Sequence, residues 1–173
     1  MTKNWKFLLA GAVAITLTSQ PALTADSGGS DTPNCINGKV WDKKQKKCVE
    51  KSSAIDDDSL YEAGRKLAKA ERYEEAIEVL MLVKDRNQPR VLNYLGYANR
   101  NAGRLETGLS YYRMAIAIDP DYVLARSYMG AALAESGDRK GALEQLAEIR
   151  EREGTTGEAY ILLATAIIGD NTY

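Results

Sequence analysis

LNYLGYAN, residues 92–99, is the stretch that decides the fold, because its pattern of large and small residues recurs along the chain. Its central small residue, Gly96, has counterparts at Gly64, Gly130 and Ala164, at intervals of 32, 34 and 34 residues. Apolar residues flank these positions at helical spacing. A period of this length predicts an array of helical repeats.

Turn signals divide the repeat region, which begins at about Asp58, into seven predicted helices. Gly103 and Gly137 suit the left-handed conformation that ends a helix, and Pro120 is expected at the first position of the next helix. The predicted helices are 59–70, 73–84, 90–102, 105–118, 120–136, 139–151 and 158–168. The first six form three helical hairpins, and the seventh seals the exposed face of the last hairpin.

Small residues are expected where the paired helices cross. Gly64, Gly96 and Gly130 lack a Cβ atom, so the first helix of each repeat can approach the second closely. On the second helices the expected counterparts are Ala76, Gly108 and Ala142. About three such hairpins are needed before an array can bury its apolar faces. This chain provides three and a capping helix.

The composition of the 173-residue chain argues against several functional classes. Hydrophobic residues make up 45% and charged residues 27%, as in ordinary soluble domains, and the net charge of −1 predicts no bulk attraction to nucleic acid. The chain contains no histidine, the residue that most often serves as a general base or metal ligand at neutral pH. Its two cysteines are too few for a four-cysteine zinc site. We therefore expect a protein that is not an enzyme and that needs no cofactor or metal.

The N-terminal residues have the layout of a secretory signal peptide. Two lysines form a basic region, residues 7–17 form an apolar core, and Ala25 marks the expected cleavage point, with Ala22 as the alternative. The apolar run is shorter than the roughly 20 residues that span a bilayer, so we expect no stable membrane insertion once residues 1–25 are removed. The alternative is an uncleaved anchor. The layout predicts a periplasmic or secreted bacterial protein that is exported by the Sec route.

A short loop framed by the two cysteines follows a polar stretch, residues 26–34, that we interpret as a flexible linker. Cys35 and Cys48 are expected to form one disulfide in an exported protein. Short β-prone pieces lie on either side of a polar turn, so residues 35–49 predict a small disulfide-closed β-hairpin. A second polar linker, residues 50–57, is expected before the repeats.

Trp41 lies in this loop among five lysines and allows two interpretations. As a binding residue it would stack on a sugar ring or a partner side chain, while the lysines meet an anionic glycan, a phospholipid headgroup or nucleic acid. As a structural residue it covers the disulfide, and the lysines keep the turn soluble. We favour the structural interpretation, because so small a fold needs its large apolar residue for its own core.

The second repeat resembles a tetratricopeptide repeat. The pattern LxxLG at residues 92–96, GxxxY at 108–112 and Pro120 is similar to that of the family, and the resemblance covers about residues 57–168. It implies an all-α fold, a right-handed α-solenoid of about three helix–turn–helix repeats plus a C-terminal capping helix, over residues 58–173. The cysteine loop resembles an element that precedes helical repeats in some exported proteins of α-proteobacteria.

Several positions depart from the family pattern. Arg126 replaces an apolar residue at the start of the third repeat, and Gly108 replaces the usual alanine. The position of the usual aromatic residue is occupied by Leu67, Asn99 and Leu133. We expect these departures to weaken individual repeats without changing the architecture.

The resemblance also implies a concave groove, lined by the first helix of each repeat, that binds an extended peptide or a partner helix. Its polar residues are expected to bind a carboxylate or the backbone of a ligand. By register they are Tyr61, Arg65, Lys69, Arg90, Asn93, Tyr97 and Arg100. The third repeat supplies the smaller residues Leu124, Ser127 and Ala131. The alternative is a solvated charged face that binds nothing tightly.

Two functions follow from these features. The leading prediction is a non-catalytic protein–protein interaction scaffold of the bacterial periplasm or cell envelope, whose partner is another protein of that compartment. The alternative is a protein that binds an envelope glycan or an anionic surface through Trp41 and its lysines, with the repeats as a spacer. A third possibility is self-association through the last helix, where Ile161 and Ile168 are expected to face outward.

Overall fold

The structure, a computed structural model, describes residues 33–169. Two strands, β1 (Val40–Asp42) and β2 (Lys47–Val49), precede the helices of this region. The helices are α1 (Asp57–Lys69), α2 (Tyr73–Leu80), α3 (Pro89–Asn101), α4 (Leu105–Ile118), α5 (Val123–Glu135), α6 (Arg139–Glu153) and α7 (Glu158–Gly169). The predicted signal peptide, most of the predicted linker at 26–34 and the last four residues of the predicted repeat domain lie outside the described residues.

All seven predicted helices are present, and two of their ends differ from expectation by more than two residues. One is the end of α2, which stops at Leu80 rather than at Lys84. The Asp57 carboxylate at the start of α1 accepts hydrogen bonds from the backbone N–H groups of Lys84 and Asp85, at 3.1 and 3.2 Å. These backbone groups therefore turn toward α1 instead of continuing the helix.

The other difference concerns the start of α5. Pro120 was predicted at its first position, but the helix begins at Val123. Residues 119–122 form a turn in which the Tyr122 N–H donates to the Asp119 carbonyl at 3.1 Å. A proline does occupy the first helical position of α3, where Pro89 needs no N–H partner.

The helices form two layers. The odd-numbered helices α1, α3 and α5 contact one another in succession, and α7 extends this layer through its contact with α5. Within residues 33–169, α2 and α4 make no close backbone contact, and neither do α4 and α6. In a curved stack of helical hairpins, the helices of the inner layer lie closer together than those of the outer layer, so the odd-numbered helices form the inner layer. The chain is thus the α-solenoid that the sequence predicts, and we call the surface of α1, α3 and α5 the inner face.

Close helix packing within the second repeat depends on glycine. A Cβ atom on Gly108 would lie 2.8 Å from the carbonyl oxygen of Gly96, and one on Gly96 would lie 2.7 Å from Tyr112 Cε1. Tyr112 is fully buried and fills the space beside this crossing. Gly130 differs from the prediction in part, because a Cβ atom there would first meet Leu163 of α7, at 2.5 Å.

The disulfide-closed hairpin is confirmed, and it packs on the first repeat. Cys35 and Cys48 are bonded, with 5.8 Å between their Cα atoms. Val40 and Ile55 are 1% and 3% exposed and belong to the same apolar core as Leu60. Within the predicted linker at residues 50–57, Ile55 therefore packs on the first repeat, and the side chain of Asp56 caps α1.

Two of the residues that depart from the repeat pattern are held by hydrogen bonds. The Asn99 side chain donates to the Leu95 carbonyl and accepts from Arg104 Nε, both at 2.8 Å. The Arg126 guanidinium donates twice to the Pro120 carbonyl, at 2.9 and 3.1 Å. Both side chains are buried without disturbing the helices that carry them. On α7, Ile161 and Ile168 are exposed, as predicted.

Candidate functional site

Four tyrosines form a continuous cluster on the inner face. Tyr61 of α1 meets Tyr94 of α3 edge-on, with 5.9 Å between ring centroids, and Tyr97 of α3 lies 5.2 Å from Tyr128 of α5. A 6.2 Å contact between Tyr94 and Tyr97 links the two pairs. Aromatic contacts of this geometry are each worth about 0.5–1.5 kcal/mol beyond the area they bury. We call these residues the tyrosine row; it links three successive repeats through the buried Tyr61 and Tyr94 and the half-buried Tyr97 and Tyr128.

Lys69 lies at the edge of the tyrosine row. Its Nζ donates to the Tyr128 hydroxyl at 2.8 Å and lies 4.9 and 5.1 Å from the ring centroids of Tyr97 and Tyr128. Since Lys69 is on α1 and Tyr128 on α5, the side chain reaches across α3 from the first repeat to the third. Among the described residues, Lys69 has no carboxylate within ion-pair distance, although its side chain is exposed.

Two of the predicted arginines are already paired with acidic residues of α1. Arg65 donates to Glu62 at 2.9 Å. Arg90 pairs with Asp58 and also lies over the ring of Tyr61, 4.6 Å from its centroid. These ion pairs are partly exposed and so contribute little to stability. A ligand carboxylate would have to compete with the protein's own acids for both guanidinium groups.

Arg100, the third predicted arginine, connects α3 to α5. One guanidinium nitrogen donates to the backbone carbonyl of Tyr128 at 3.0 Å, and another pairs with Glu135 at the same distance. Its side chain is mostly buried. Arg100 therefore fixes the spacing of two inner helices, a structural role that the sequence did not predict.

Asn93 is the most unusual polar residue of the inner helices. It is 0% exposed, yet neither its Oδ1 nor its Nδ2 has a hydrogen-bond partner among the described residues. Leaving a buried polar group unpaired costs about 1–3 kcal/mol. Arg90 and Tyr97 lie three residues before and four residues after it, so all three share one side of α3. Since Asn93 has no exposed surface in the free protein, a ligand could reach its amide only after neighbouring side chains moved aside.

Burial keeps several tyrosine hydroxyls near the inner face protonated at neutral pH by raising their pKa values. Burial raises the pKa of Tyr61 to about 12, and it also raises the pKa values of Tyr94 and Tyr128. Burial, with a smaller contribution from the neighbouring tyrosine hydroxyls, raises the pKa of Tyr122 in the same way. The inner face thus offers hydroxyl groups that can donate and accept hydrogen bonds.

Each of the seven predicted groove residues lies on α1 or α3, and six of them belong to or contact the tyrosine row. Their role in binding stays a prediction. The sequence interpretation missed Tyr94 and Tyr128, which are central to the row. A signal was present, because each lies two residues before the central glycine of its repeat, Gly96 or Gly130.

Trp41, the other predicted binding residue, lies outside the inner face. It pairs with Cys48 in the antiparallel register of the hairpin, and its half-buried side chain lines a cleft between the hairpin and α1. Within residues 33–169, no helix is long and apolar enough to cross a membrane, and no three acidic, histidine or cysteine residues are grouped to hold a metal ion.

No protein-family model matches this sequence, and no curated protein matches it. The Sgt2 TPR domain from Aspergillus fumigatus is similar in structure, with a TM-score of 0.58 and 24% identity over 66% of this chain and 76% of that one. A double mutant of MamA RS-1 has a TM-score of 0.53 and 25% identity, over 59% of this chain and 58% of that one.

A third similar structure is PcrH in complex with the chaperone binding region of PopB. Its TM-score is 0.55 at 20% identity, over 64% of this chain and 90% of that one. The present chain spans only 58% of the length of the MamA mutant. At these identities the likeness concerns the fold. The chain has a tetratricopeptide-repeat fold, an α-solenoid that carries a disulfide-closed hairpin in front of its first repeat.

Proposed function

We propose that this protein is a non-catalytic interaction scaffold that binds an extended segment or a helix of a partner protein on its inner face. The observation that carries the proposal is the tyrosine row, which runs across three repeats with Lys69 at its edge. The PcrH structure supports it, because that protein of similar fold holds a segment of another protein.

The chemistry of the inner face suggests the properties of the bound segment. Tyr97 and Tyr128, the two half-buried members of the tyrosine row, provide flat apolar area together with hydroxyl groups, a combination that is enriched at binding surfaces. Tyr61 and Tyr94 are buried and support these two rings from below. Lys69 is exposed, and among residues 33–169 it engages tyrosines and no acidic residue, so a carboxylate of the partner can pair with it without displacing an acid of this region. We therefore propose a segment that places an acidic group near Lys69 and apolar side chains against Tyr97 and Tyr128.

Asn93 suggests a second property of the bound segment, namely the ability to form hydrogen bonds with a side-chain amide. Its amide is fully buried in the free protein, so we propose that binding moves neighbouring side chains aside and lets a ligand backbone or side chain supply the hydrogen bonds that no described residue provides. Binding would then remove a cost that the free protein bears. This gain would make Asn93 more important for affinity than its small size suggests.

We further propose that the partner is a protein of the bacterial periplasm or cell envelope. Support comes from the signal-peptide pattern of residues 1–25 and from the Cys35–Cys48 disulfide, a bond that persists in oxidising compartments. Fractionation of the native host, followed by N-terminal sequencing of the isolated protein, tests this assignment. An unprocessed chain in the cytoplasmic fraction would contradict it.

Site-specific photo-crosslinking tests the binding face. A benzophenone amino acid replaces Tyr97 on the inner face in one variant and Met114, an exposed residue of α4 in the outer layer, in the control. We expect a partner to be captured from Tyr97 and not from Met114. Mass spectrometry then identifies the crosslinked segment, and a synthetic peptide of that segment should bind the unmodified protein.

The peptide also tests the roles of single residues. Lys69→Glu should weaken its binding by about tenfold because a favourable charge contact becomes repulsive. Lys140→Glu, the same change at an exposed position of α6, should not weaken it. Capture only from Met114, or equal losses in the two lysine variants, would refute binding on the inner face.

A further inference from the structure

A cleft of about 340 Å³ lies between the disulfide hairpin and α1. On α1 it is lined by residues such as Ala63 and Leu67, whereas the inner face uses Tyr61, Arg65 and Lys69. Because the two sets are offset along the helical repeat, they lie on different sides of α1. The cleft is therefore separate from the surface that we assign to protein binding.

Strand alternation places one side of the hairpin at this cleft. Val40 and Asp42 are buried, so the residues between and beside them, Lys39, Trp41 and Lys43, share the opposite side of β1. All three line the cleft. The Trp41 indole thus forms part of the cleft wall, while Val40 packs the hairpin into the apolar core of the first repeat.

The walls of the cleft are held in place before any ligand arrives. The Cys35–Cys48 disulfide closes the hairpin, and Val40 ties it to the core of the first repeat. The backbone N–H of Lys43 donates to Ser59 Oγ of α1 at 3.0 Å. A site formed in advance requires little ordering when it binds a ligand.

The lining combines apolar surface with positive charge. Trp41, Ala63 and Leu67 provide apolar area. The charged lining residues are four basic side chains and one acidic one, namely Lys39, Lys43, Lys66, Arg72 and Glu62. Arg72 is already paired with Glu75, at 2.6 Å. Among the described residues, the Lys43 side chain has no acidic partner, and that of Lys39 meets Glu50 only through an exposed contact of 3.4 Å. Lys43 and Lys39 therefore favour an anion at the hairpin side of the cleft.

We propose that this cleft binds an anionic saccharide, a sugar unit that bears a carboxylate or a similar acidic group. The Trp41 indole offers a flat face for the apolar side of a sugar ring, and the lysines at the rim pair with the acidic group. The volume is at the low end of the range for small-molecule sites, roughly 300–1,000 Å³, which suits one or two sugar units.

A peptide fits the cleft less well. The α1 wall is helical, so its backbone groups are bonded within the helix and present no edge with which an extended chain can pair. A ligand on that wall can therefore be recognised only by side chains. On the hairpin side, the amides of Asn34 and Asn37 line the cleft and can form hydrogen bonds with sugar hydroxyl groups. This second site assigns Trp41 a role in binding in addition to its position beside the disulfide.

The test uses the full chain with Trp5→Phe, so that Trp41 is its single tryptophan. The probe is a galacturonic acid trimer, and the reference is a neutral galactose trimer of the same length. We expect the acidic trimer to change the indole fluorescence saturably. The neutral trimer should bind about tenfold more weakly, and added salt should weaken the acidic one.

Matched variants locate the site. Lys43→Glu should weaken binding of the acidic trimer by at least about fivefold. Lys47→Glu makes the same charge change in the same hairpin, at a residue that does not line the cleft, and should have a much smaller effect. Calorimetry with Trp41→Ala should show loss of binding, while circular dichroism confirms that each variant is folded.

Three results would overturn the proposal. One is the absence of saturable binding by the acidic trimer, and another is an equal loss in the two lysine variants, which would indicate diffuse attraction. The third is tighter binding of an acidic, aromatic peptide than of the trimer, which would make the cleft a peptide site. None of these results bears on the inner face, so the scaffold function is tested independently.

Discussion

Lys69 in α1 donates a hydrogen bond to the hydroxyl of Tyr128 in α5, at 2.8 Å and across 59 residues of sequence. The helix between them, α3, contributes the ring of Tyr97, over which the same ammonium group lies. One side chain thereby joins three repeats. This contact depends on the curvature of the solenoid, because only a concave inner face brings the first and third repeats within reach of one lysine.

Replacing Lys69 with methionine keeps the apolar stem and removes the charge. We expect a loss of about 0.5–1 kcal/mol in the free energy of unfolding, the usual magnitude of an exposed cation–π contact. Urea denaturation followed by circular dichroism measures it. Lys140→Met, at a side chain that is 89% exposed, is the control and should change stability little. Equal effects would mean that the bridge between repeats adds no stability.

Gly108→Ala introduces the residue that this repeat position usually carries. In an ordinary helix interior the change gains about 1 kcal/mol. Here the new methyl group would meet the Gly96 carbonyl oxygen at 2.8 Å and Arg100 Cβ at 2.9 Å, and overpacking against backbone costs typically 1–3 kcal/mol. We expect a net loss of about 1–2 kcal/mol in urea denaturation.

A control for this change is Ser110→Ala, at an exposed position of the same helix. It should stabilise the protein by a few tenths of a kcal/mol, because only helix propensity changes there. Stabilisation by Gly108→Ala would show that α3 and α4 can separate without cost.

Glu71 occupies a backbone conformation that favours glycine. Its φ is 61°, and the equivalent residues of the next two repeats are Gly103 and Gly137, with φ of 81° and 86°. Glu71→Gly should therefore raise the free energy of unfolding by about 1 kcal/mol. Gly103→Ala should lower it by a similar amount through the backbone alone, since nothing lies within 4 Å of the added atom. If neither variant shifts the thermal midpoint, backbone strain at this position is negligible.

Asn93→Leu separates stability from binding. Replacing an unpaired buried amide with an apolar side chain of similar volume should stabilise the free protein by about 1 kcal/mol, because the desolvation cost disappears. The same variant should bind the crosslinked partner peptide more weakly. A variant that is more stable and binds as tightly as the wild type would exclude Asn93 from the site.

Acid should destabilise the hairpin through Asp42. Hydrogen bonds from the backbone N–H groups of Gln45 and Lys44 and from the Gln45 side chain lower the pKa of Asp42 below its ordinary value of 3.8, although burial opposes the shift. The stabilisation is complete above pH 3.8 and is lost as the pH falls through the lower pKa of the folded state.

Asp42→Asn should therefore be less stable than the wild type at neutral pH and should lose less stability on acidification. Thermal unfolding at a series of pH values below about 5 measures the difference. Parallel stability curves for the two proteins would contradict the assigned role of Asp42.

Several features of the fold were predictable because they depend on local chemistry. The spacing of apolar and small residues predicts the seven helices, and Gly103 and Gly137 mark their ends since few other residues adopt a positive φ. The disulfide was predictable from two cysteines that flank a turn. The early end of α2 was not, because it depends on Asp57, which lies more than twenty residues earlier in the sequence.

The candidate site, like the fold, could be predicted from the sequence only in part. The repeat register placed Tyr61, Asn93 and Tyr97 on the inner helices, because helical periodicity determines which side of a helix a residue occupies. The tertiary structure decided which of the predicted basic side chains remain available to a ligand. Three predicted arginines pair with acidic residues on other turns or helices, whereas Lys69 pairs with no acid in the described part of the chain.

The sequence by itself determined that this chain is an array of helical repeats with a disulfide-closed hairpin. Periodicity, helix ends and cysteine spacing are properties of neighbouring residues, and they do not depend on how the helices are arranged. Only the tertiary structure decided that the tyrosines join into one row and that the hairpin forms a cleft with α1. Both depend on contacts between repeats or elements whose distances are set by curvature and close packing, which no local pattern encodes.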